Sequence, residues 1–437
     1  MTRLAAPRDP VTIHLDGDPV VAERGEPAAV ALVAAGQLAL ARSPKFHRPR
    51  GPACFRAACD GCLARVDGVP NVMTCRIPCR EGLRIETQNV VGSKDTDLLR
   101  VADWFFPEGM NHHELLAGVP GLQRVFQGFA RRVAGIGRLP DAVVPPRAAR
   151  RREVDVLVVG AGPAGMGAAT ALAARGREVE VVDDDLAWGG AARVLEGVAP
   201  GRWRSSMTAF AGVLARGRVR LSLRTTAAGV YGDDVLLARE ADDGPGDGRD
   251  AGVRVEVVRA RTLVLAPGAH DGGVAFEGND VPGVLSARAG CRLLAHRVVV
   301  GARVVIACID GGGPYGRAYA AAQPEALVVR GAPRRASGSS RIKAVTFAGA
   351  EGGASGGASG ERRIPCDALL IDAPGAPAYE LSSQAGAQLS HEVRGFVVRA
   401  GRGGRIREGV FAIGEAVGTA LEPEAIAKAA RDLAAEV

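Results

Sequence analysis

Polar and apolar positions alternate near the start of the chain with the two-residue rhythm of short strands. Val11–Leu15 and the pair Val20–Val21 flank Asp16-Gly17-Asp18-Pro19, a turn-forming quartet, and predict a hairpin. Residues 27–42 then take up the Ala/Leu spacing of a helix, while Leu63–Asp67, Asn71–Thr74 and Leu83–Thr87 predict three further short strands. Residues 1–95 therefore read as a small β-rich unit, and 96–150 as a helical connector. In the connector Asn111 is placed to cap a helix through Leu116, Leu122–Val133 is amphipathic, and Pro140, Pro145 and Pro146 mark its end.

From Val154 onward solid apolar runs alternate with Ala-rich helical stretches, the signature of an α/β fold. The pattern occurs twice. VDVLVVGAGPAG, a helix, EVEVVDD, a hairpin and TLVLAPGA run from 154 to 269; ARVVIACIDGGGPYG, a short helix, EALVVRG, a hairpin and DALLIDAPG run from 302 to 375. Two successive Rossmann-like dinucleotide-binding domains account for both halves, the first built from 151–280 and 400–437 and the second from 281–399. Ala241–Ala251 and Gly349–Gly360 read as loop insertions. The most apolar long run, Val156–Ala174, has glycines at fixed offsets and reads as strand, loop and helix, so no membrane span is expected.

Composition narrows the class. With 437 residues, 47% hydrophobic but only 4% aromatic, and 59 glycines, the chain needs two or three cores built from Ala, Val, Leu and Ile. Eight cysteines, five of them between Cys54 and Cys79, exclude a disulfide scaffold. The net charge of +7 comes from scattered arginines with no interleaved aromatic stripe, which reads as solvated surface rather than a nucleic-acid interface. The opening MTRLAAPRDP has no apolar signal core, so a cytoplasmic location is expected.

Cys54, Cys59, Cys62 and Cys75 stand as C-x4-C-x2-C-x12-C, and the first three match the plant-type [2Fe–2S] spacing. A tight loop aims three thiolates at one point, and a fourth from a following strand closes the cage. Structural zinc and inert buried thiols are the alternatives, although zinc sites usually show two short cysteine knuckles and only one exists here. The loop reads CFRAAC where glycines usually let backbone N–H groups approach the sulfurs, so Phe55 and Arg56 are departures. Cys79 is unassigned, and Cys291, Cys308 and Cys366 are expected in the core.

Gly160, Gly162 and Gly165 form G-x-G-x-x-G around Pro163 and Ala164, directly after a strand and before a helix, with Asp183 ending the next strand. The glycines allow the tight turn, the approach to a pyrophosphate and close helix–strand packing; Asp183 is placed to bind a ribose hydroxyl pair. The second loop, Gly311-Gly312-Gly313-Pro314-Tyr315-Gly316, is followed by a strand ending in Arg330, with Arg334 and Arg335 nearby, where NAD would call for an acid. It suits either NADP or a relic that binds no nucleotide. The adjacent His112 and His113 cannot share one helical face and read as polar surface or interface groups rather than metal ligands, and FHRPRG at 46–51 is either a docking patch or a loop packed on the flavoprotein-like half.

The later half resembles two-dinucleotide-binding-domain flavoproteins of the disulfide-reductase type, on Gly160, Gly162, Gly165, Asp183, Gly189, Gly190, Gly268 and Gly414. Pro267 replaces the usual Thr, and Glu415 the usual Asp. No redox cysteine pair follows Gly189-Gly190, which argues against disulfide reduction. A β-grasp ferredoxin-like domain in front of such a flavoprotein resembles the α-type subunits of heteromeric sarcosine oxidase, opine oxidase, proline dehydrogenase and hydrogen cyanide synthase. SPKFHRPRG, RVDGVPNVMTC and FEGNDVPGVLSARA carry that resemblance. Within these residues neither the folate-binding extension of the long sarcosine oxidase α subunit nor the later cysteine cluster of some opine-type relatives is expected. The resemblance implies FAD, a [2Fe–2S] cluster, a β-type flavoprotein partner (sarcosine- or glycine-oxidase-like) with further small subunits, and an electron-relay role. No acid–base residue for amine oxidation stands out. A self-sufficient NAD(P)H-dependent iron–sulfur reductase is the alternative.

Overall fold

The computed structural model describes residues 2–43, 46–90, 97–98, 122, 125, 148–240, 253–349 and 360–437. The expected connector helices, His112 and His113, and nearly all of both insertions lie outside these residues.

The N-terminal hairpin forms because Asp16 and Gly17 take left-handed backbone angles (φ 53° and 93°), joining β1 (Pro10–Leu15) to β2 (Asp18–Glu23). Val11, Ile13 and Leu15, the alternate residues of β1, are buried under α1 (Ala28–Ala34), whose Ala and Val side chains are almost all buried as well. β3 (Leu63–Val66), β4 (Val69–Met73) and β5 (Arg84–Glu86) begin and end within two residues of the positions the alternation predicts. The sheet order is β2-β1-β5-β3-β4, with β5 parallel to β1 and the other pairs antiparallel. This mixed sheet holds the cysteine loop at the entry to β3.

The next unit runs β6 (Arg150–Val159), α2 (Pro163–Ala174), β7 (Val179–Val182), α3 (Gly190–Val198), α4 (Arg204–Ala215), β8 (Val219–Ser222), β9 (Thr225–Tyr231), β10 (Asp234–Arg239) and β11 (Arg254–Leu265). β8, β7, β6 and β11 lie side by side and parallel, and the β9–β10 hairpin extends the sheet from the first half of β11. Val156 and Val158 of β6 meet Met166, Ala169 and Leu172 of α2 in one buried cluster, because the strand offers every second side chain to the helix.

The second unit repeats the plan with β12 (Val284–Ser286), α5 (Ala287–Ala295), β13 (Val304–Cys308), α6 (Pro314–Ala322), β14 (Leu327–Arg330), an antiparallel meander β15 (Pro333–Gly338), β16 (Ile342–Phe347) and β17 (Arg362–Pro365), then β18 (Ala368–Asp372). Its parallel order is β12-β18-β13-β14. The chain returns through β19 (Val410–Ala412), parallel to the end of β11, and α7 (Pro423–Glu436), which packs on α2.

The FHRPRG stretch packs on the nucleotide-binding half: Arg50 pairs with Asp280 at 2.8 Å, and the Ser286 N–H donates to the Ala53 carbonyl at 2.9 Å. No helix among the described residues is long and apolar enough to cross a membrane.

Candidate functional site

The four cysteines of the N-terminal loop come together as two pairs. Cys54 Sγ lies 3.3 Å from Cys59 Sγ, and the Cys62 and Cys75 thiols hydrogen-bond each other. Among the described residues no three His, Cys, Asp or Glu side chains converge on a single ion, as one tetrahedral zinc would require. Two pairs suit two irons, each held by two thiolates. The bond from Cys54 holds the Cys59 thiol down to about 6, while that shared proton and burial push Cys54 up.

Backbone donors supply what glycines would have supplied. Arg56 and Ala58 N–H groups reach Cys54 Sγ at 3.4 and 3.3 Å, and Ala57 N–H reaches Cys75 Sγ at 3.3 Å. To aim them, Phe55 and Ala57 take φ angles of 52° and 59°, a left-handed conformation that costs a non-glycine residue about 1–2 kcal/mol. The burial of Phe55 holds it there. Cys79 is buried apart from the pairs, its thiol raised by desolvation, and Cys291 and Cys366 lie in the core; Cys308 is half-buried.

The first glycine loop lines a cavity of about 300 Å³. Gly160 has φ 104° with the Ala266 carbonyl pressed against it, and a Cβ on Gly165 would collide with the Gly160 carbonyl oxygen. Gly162 faces open space. Among the described residues no side chain bonds the N–H groups of Gly162 or Ala164, both of which line the cavity, so the N-terminus of α2 offers free donors to an anion there. Asp183 Oδ2 accepts from Ala161 N–H at 2.6 Å and Oδ1 from Asp185 N–H at 2.8 Å. Gly189 (φ 107°) and Gly190 open α3 against the loop, and Pro267, Gly268 and Glu415 line the far wall. Gly414 (φ 81°) sits so close to Ala164 that a Cβ there would come within 2.7 Å. The Glu415 carboxyl is raised by burial, with Arg288 and Arg56 opposing the shift. This cradle fits FAD: donors for the pyrophosphate and an acid for the ribose.

Burial raises Asp183 to about 6. Above the unfolded value of about 3.9 and below 6, the folded state binds a proton that the unfolded chain has released, so this group makes stability fall as pH rises. In FAD-free protein, Asp183→Asn should therefore make the slope of unfolding free energy between pH 4 and 6 more positive, by up to about 1.4 kcal/mol per pH unit in urea melts. An unchanged slope would show that Asp183 does not titrate there.

Four arginines complete the pocket. Arg56, from the cysteine loop, donates to the Ala269 carbonyl at 2.5 Å; Arg288 of α5 donates to the same oxygen at 3.0 Å and pairs with Asp271. Arg292 donates to the Phe55 carbonyl at 2.9 Å and pairs with Asp185. Arg76, next to Cys75, reaches Asp184 at 3.0 Å and Glu240 at 3.2 Å. Sequence reasoning noticed Arg56 only as a departure and missed the other three. Arg288 sits within FEGNDVPGVLSARA, and nothing in the spacing marks Arg76 or Arg292.

The second glycine loop is different. Five residues, Ile309–Gly313, separate β13 from α6, against three, Gly160–Gly162, between β6 and α2. The Asp372 carboxylate, at the end of β18, accepts from Gly313 N–H at 2.8 Å and Gly316 N–H at 3.1 Å. A dinucleotide does not fit where those donors are already taken. Arg334 and Arg335 pair with Glu361 and Glu277, and Arg330 is exposed.

Residues 8–90 match the 2Fe-2S iron-sulfur cluster binding domain family, and residues 158–205 the NAD(P)-binding Rossmann-like domain family. The chain is 30% identical over 299 residues to sarcosine oxidase subunit alpha of Rhizobium meliloti, covering 64% of this chain and 30% of that protein. It is 38% identical over 82 residues to hydrogen cyanide synthase subunit HcnA of Pseudomonas aeruginosa, covering 19% of this chain and 78% of that one. The fold matches L-proline dehydrogenase from P. horikoshii with a TM-score of 0.70 at 21% identity, over 100% of this chain and 74% of that one. The chain thus spans about a third of the sarcosine oxidase subunit it matches.

Proposed function

We propose that this chain, which belongs to the family of α-type subunits joining a [2Fe–2S] domain to a two-dinucleotide-binding-domain flavoprotein, is the electron-transfer subunit of a heteromeric FAD-dependent amine or amino-acid dehydrogenase or oxidase. The observation that carries the reading is Arg56. It lies between cluster ligands Cys54 and Cys59, its N–H bonds Cys54 Sγ, and its side chain bonds the pocket wall at Ala269, one residue past Gly268. The loop proposed to hold the cluster is therefore also a wall of the pocket proposed to hold the flavin.

FAD, when bound, supplies two-electron chemistry and the cluster one-electron chemistry. The chain's residues position both groups. Gly162 and Ala164 offer N–H donors to the pyrophosphate and Asp183 an acceptor to the ribose, while Pro267, Gly268 and Ala269 wall the pocket beside the cluster loop. Among the described residues no acid–base pair placed for C–N oxidation accompanies them; His270 and Glu380, which line the pocket, are bonded to each other at 3.0 Å. Substrate oxidation then falls to a β-type flavoprotein partner, with this chain passing electrons onward. The alternative, a reductase fed by NAD(P)H, needs an open second loop, and Asp372 stands in it.

The test is to photoreduce the flavin of FAD- and iron-loaded protein and follow the cluster's paramagnetic signal by freeze-quench. Growth of that signal within a second is expected, and its absence would overturn the relay. Arg56→Gln should slow the transfer at least tenfold at unchanged flavin and iron content.

A further inference from the structure

The two glycine loops differ in what faces their helices, and that difference assigns the second unit its role. In β6 and β11 the side chains turned toward α2 run Val156, Val158 and Val264, and the next helix-facing position after Val264 is Ala266. In β13 and β18 they run Val304, Ile306, Ala368 and Leu370, so the next one is Asp372. The strand that follows thus offers the first loop an alanine methyl and the second loop a carboxylate; the acid beside the first loop, Asp183, bonds Ala161 N–H and leaves the N–H groups at the start of α2 free. Asp372 is 4% exposed and bonds the N–H groups of Gly313 and Gly316. The free donors at the start of a helix are the ones a dinucleotide pyrophosphate uses.

The space beside three of these glycines is filled as well. A Cβ on Gly312 would come within 2.5 Å of Asp372 Oδ2 and 2.6 Å of Cys308 Sγ, one on Gly313 within 3.1 Å of Asp372 Oδ1, and one on Gly316 would collide with the carboxylate. The glycines of this loop leave room for a side chain of the same chain rather than for a ligand. Asp310, Gly311 and Gly312 take positive φ angles (50°, 85° and 67°) in succession, wrapping the longer loop around that carboxylate. A phosphate brought to this place would displace a buried anion or lie against it, and like charges at contact in a dry site repel strongly.

We infer that the second dinucleotide-type unit binds no NAD(P), because Asp372 permanently takes the pyrophosphate's place on α6. The unit serves the first pocket instead: α5, which packs against both α3 and α6, carries Arg288 and Arg292 to the pocket wall and to the cluster loop. The inference stands apart from the relay reading, since flavin-to-cluster transfer is measured without any pyridine nucleotide.

FAD- and iron-loaded wild-type protein is titrated calorimetrically with NADH, NADPH and ADP. No saturable binding below about 1 mM is expected; one molecule of any of them bound per chain would overturn the inference. Asp372→Ala, which places at this position the residue found beside the first loop, should bind ADP at least tenfold more tightly than wild type. Asp372→Ser, whose hydroxyl can still accept from one loop N–H, should do so too, and serves if the alanine variant loses its flavin or iron. Variants that keep both cofactors yet bind ADP no better than wild type would show that Asp372 is not what closes the site.

Discussion

Protein carrying Cys62→Ser is expected to lose the iron–sulfur absorbance and the paramagnetic signal of the dithionite-reduced cluster, with iron falling from about two atoms per chain to under a tenth of that. Cys62 is fully buried and pairs with Cys75, so its loss leaves one of the two thiolate pairs with a single sulfur. Serine's oxygen is harder and on a shorter bond, and no spare sulfur can substitute. The nearest further cysteine in sequence, Cys79, has its N–H bonded to the Glu26 carbonyl and packs in the sheet core. Cys79→Ala is the companion variant: it should keep full iron content and lose about 1–2 kcal/mol of stability as a small buried side chain is truncated. A Cys62→Ser protein that retains the signal, or a Cys79→Ala protein that loses it, would reassign the ligands.

Gly162, which caps α2, and Gly165, in its first turn, should fail in different ways. Gly165→Ala pushes a methyl group into the Gly160 carbonyl, a backbone atom that cannot swing aside, so β6 and α2 must separate. The expected cost is about 2–4 kcal/mol, with FAD content of purified protein below one tenth of wild type. Gly162→Ala meets nothing within 4 Å, and its backbone angles (φ −77°, ψ −172°) suit alanine. It should melt within about 0.5 kcal/mol of wild type yet bind FAD at least tenfold more weakly, since its methyl enters the space the pyrophosphate would occupy. Fluorescence quenching of added FAD and urea melts separate the two effects. Equal stability losses in both variants would mean that Gly162 packs against protein rather than facing a ligand.

How far the sequence could be read follows from where each signal is stored. The β-rich unit and the doubled α/β pattern were legible because strand and helix impose periods of 2 and 3.6 on which side chains are buried, and Val11, Ile13 and Leu15 or Val156 and Val158 obey them. The glycine loops were legible because close backbone contact at Gly160 and Gly165 excludes any side chain. The arginines were not. Arg56 and Arg76 meet the first nucleotide-binding unit across 213 and 108 residues of chain, and no local period encodes such a pairing. In CFRAAC residues other than glycine stand where glycines are usual, yet the backbone at Phe55 and Ala57 bends into the left-handed region regardless. For Asp372 a signal did exist, one acid ending the apolar strand ALLID, but only the geometry shows that it turns back onto its own glycine loop.

The double attachment of Arg56 gives the cluster a second use, as a gauge. Its N–H is one of the hydrogen bonds to Cys54 sulfur, and such bonds help set an iron–sulfur potential; its guanidinium hangs on the carbonyl of Ala269, a residue of the cavity wall. Any occupant that moves that carbonyl tugs on the sulfur. The g-values of the reduced cluster should therefore differ between flavin-loaded and flavin-stripped protein, so the iron centre registers, from the far side of a peptide wall, whether its neighbour is at home.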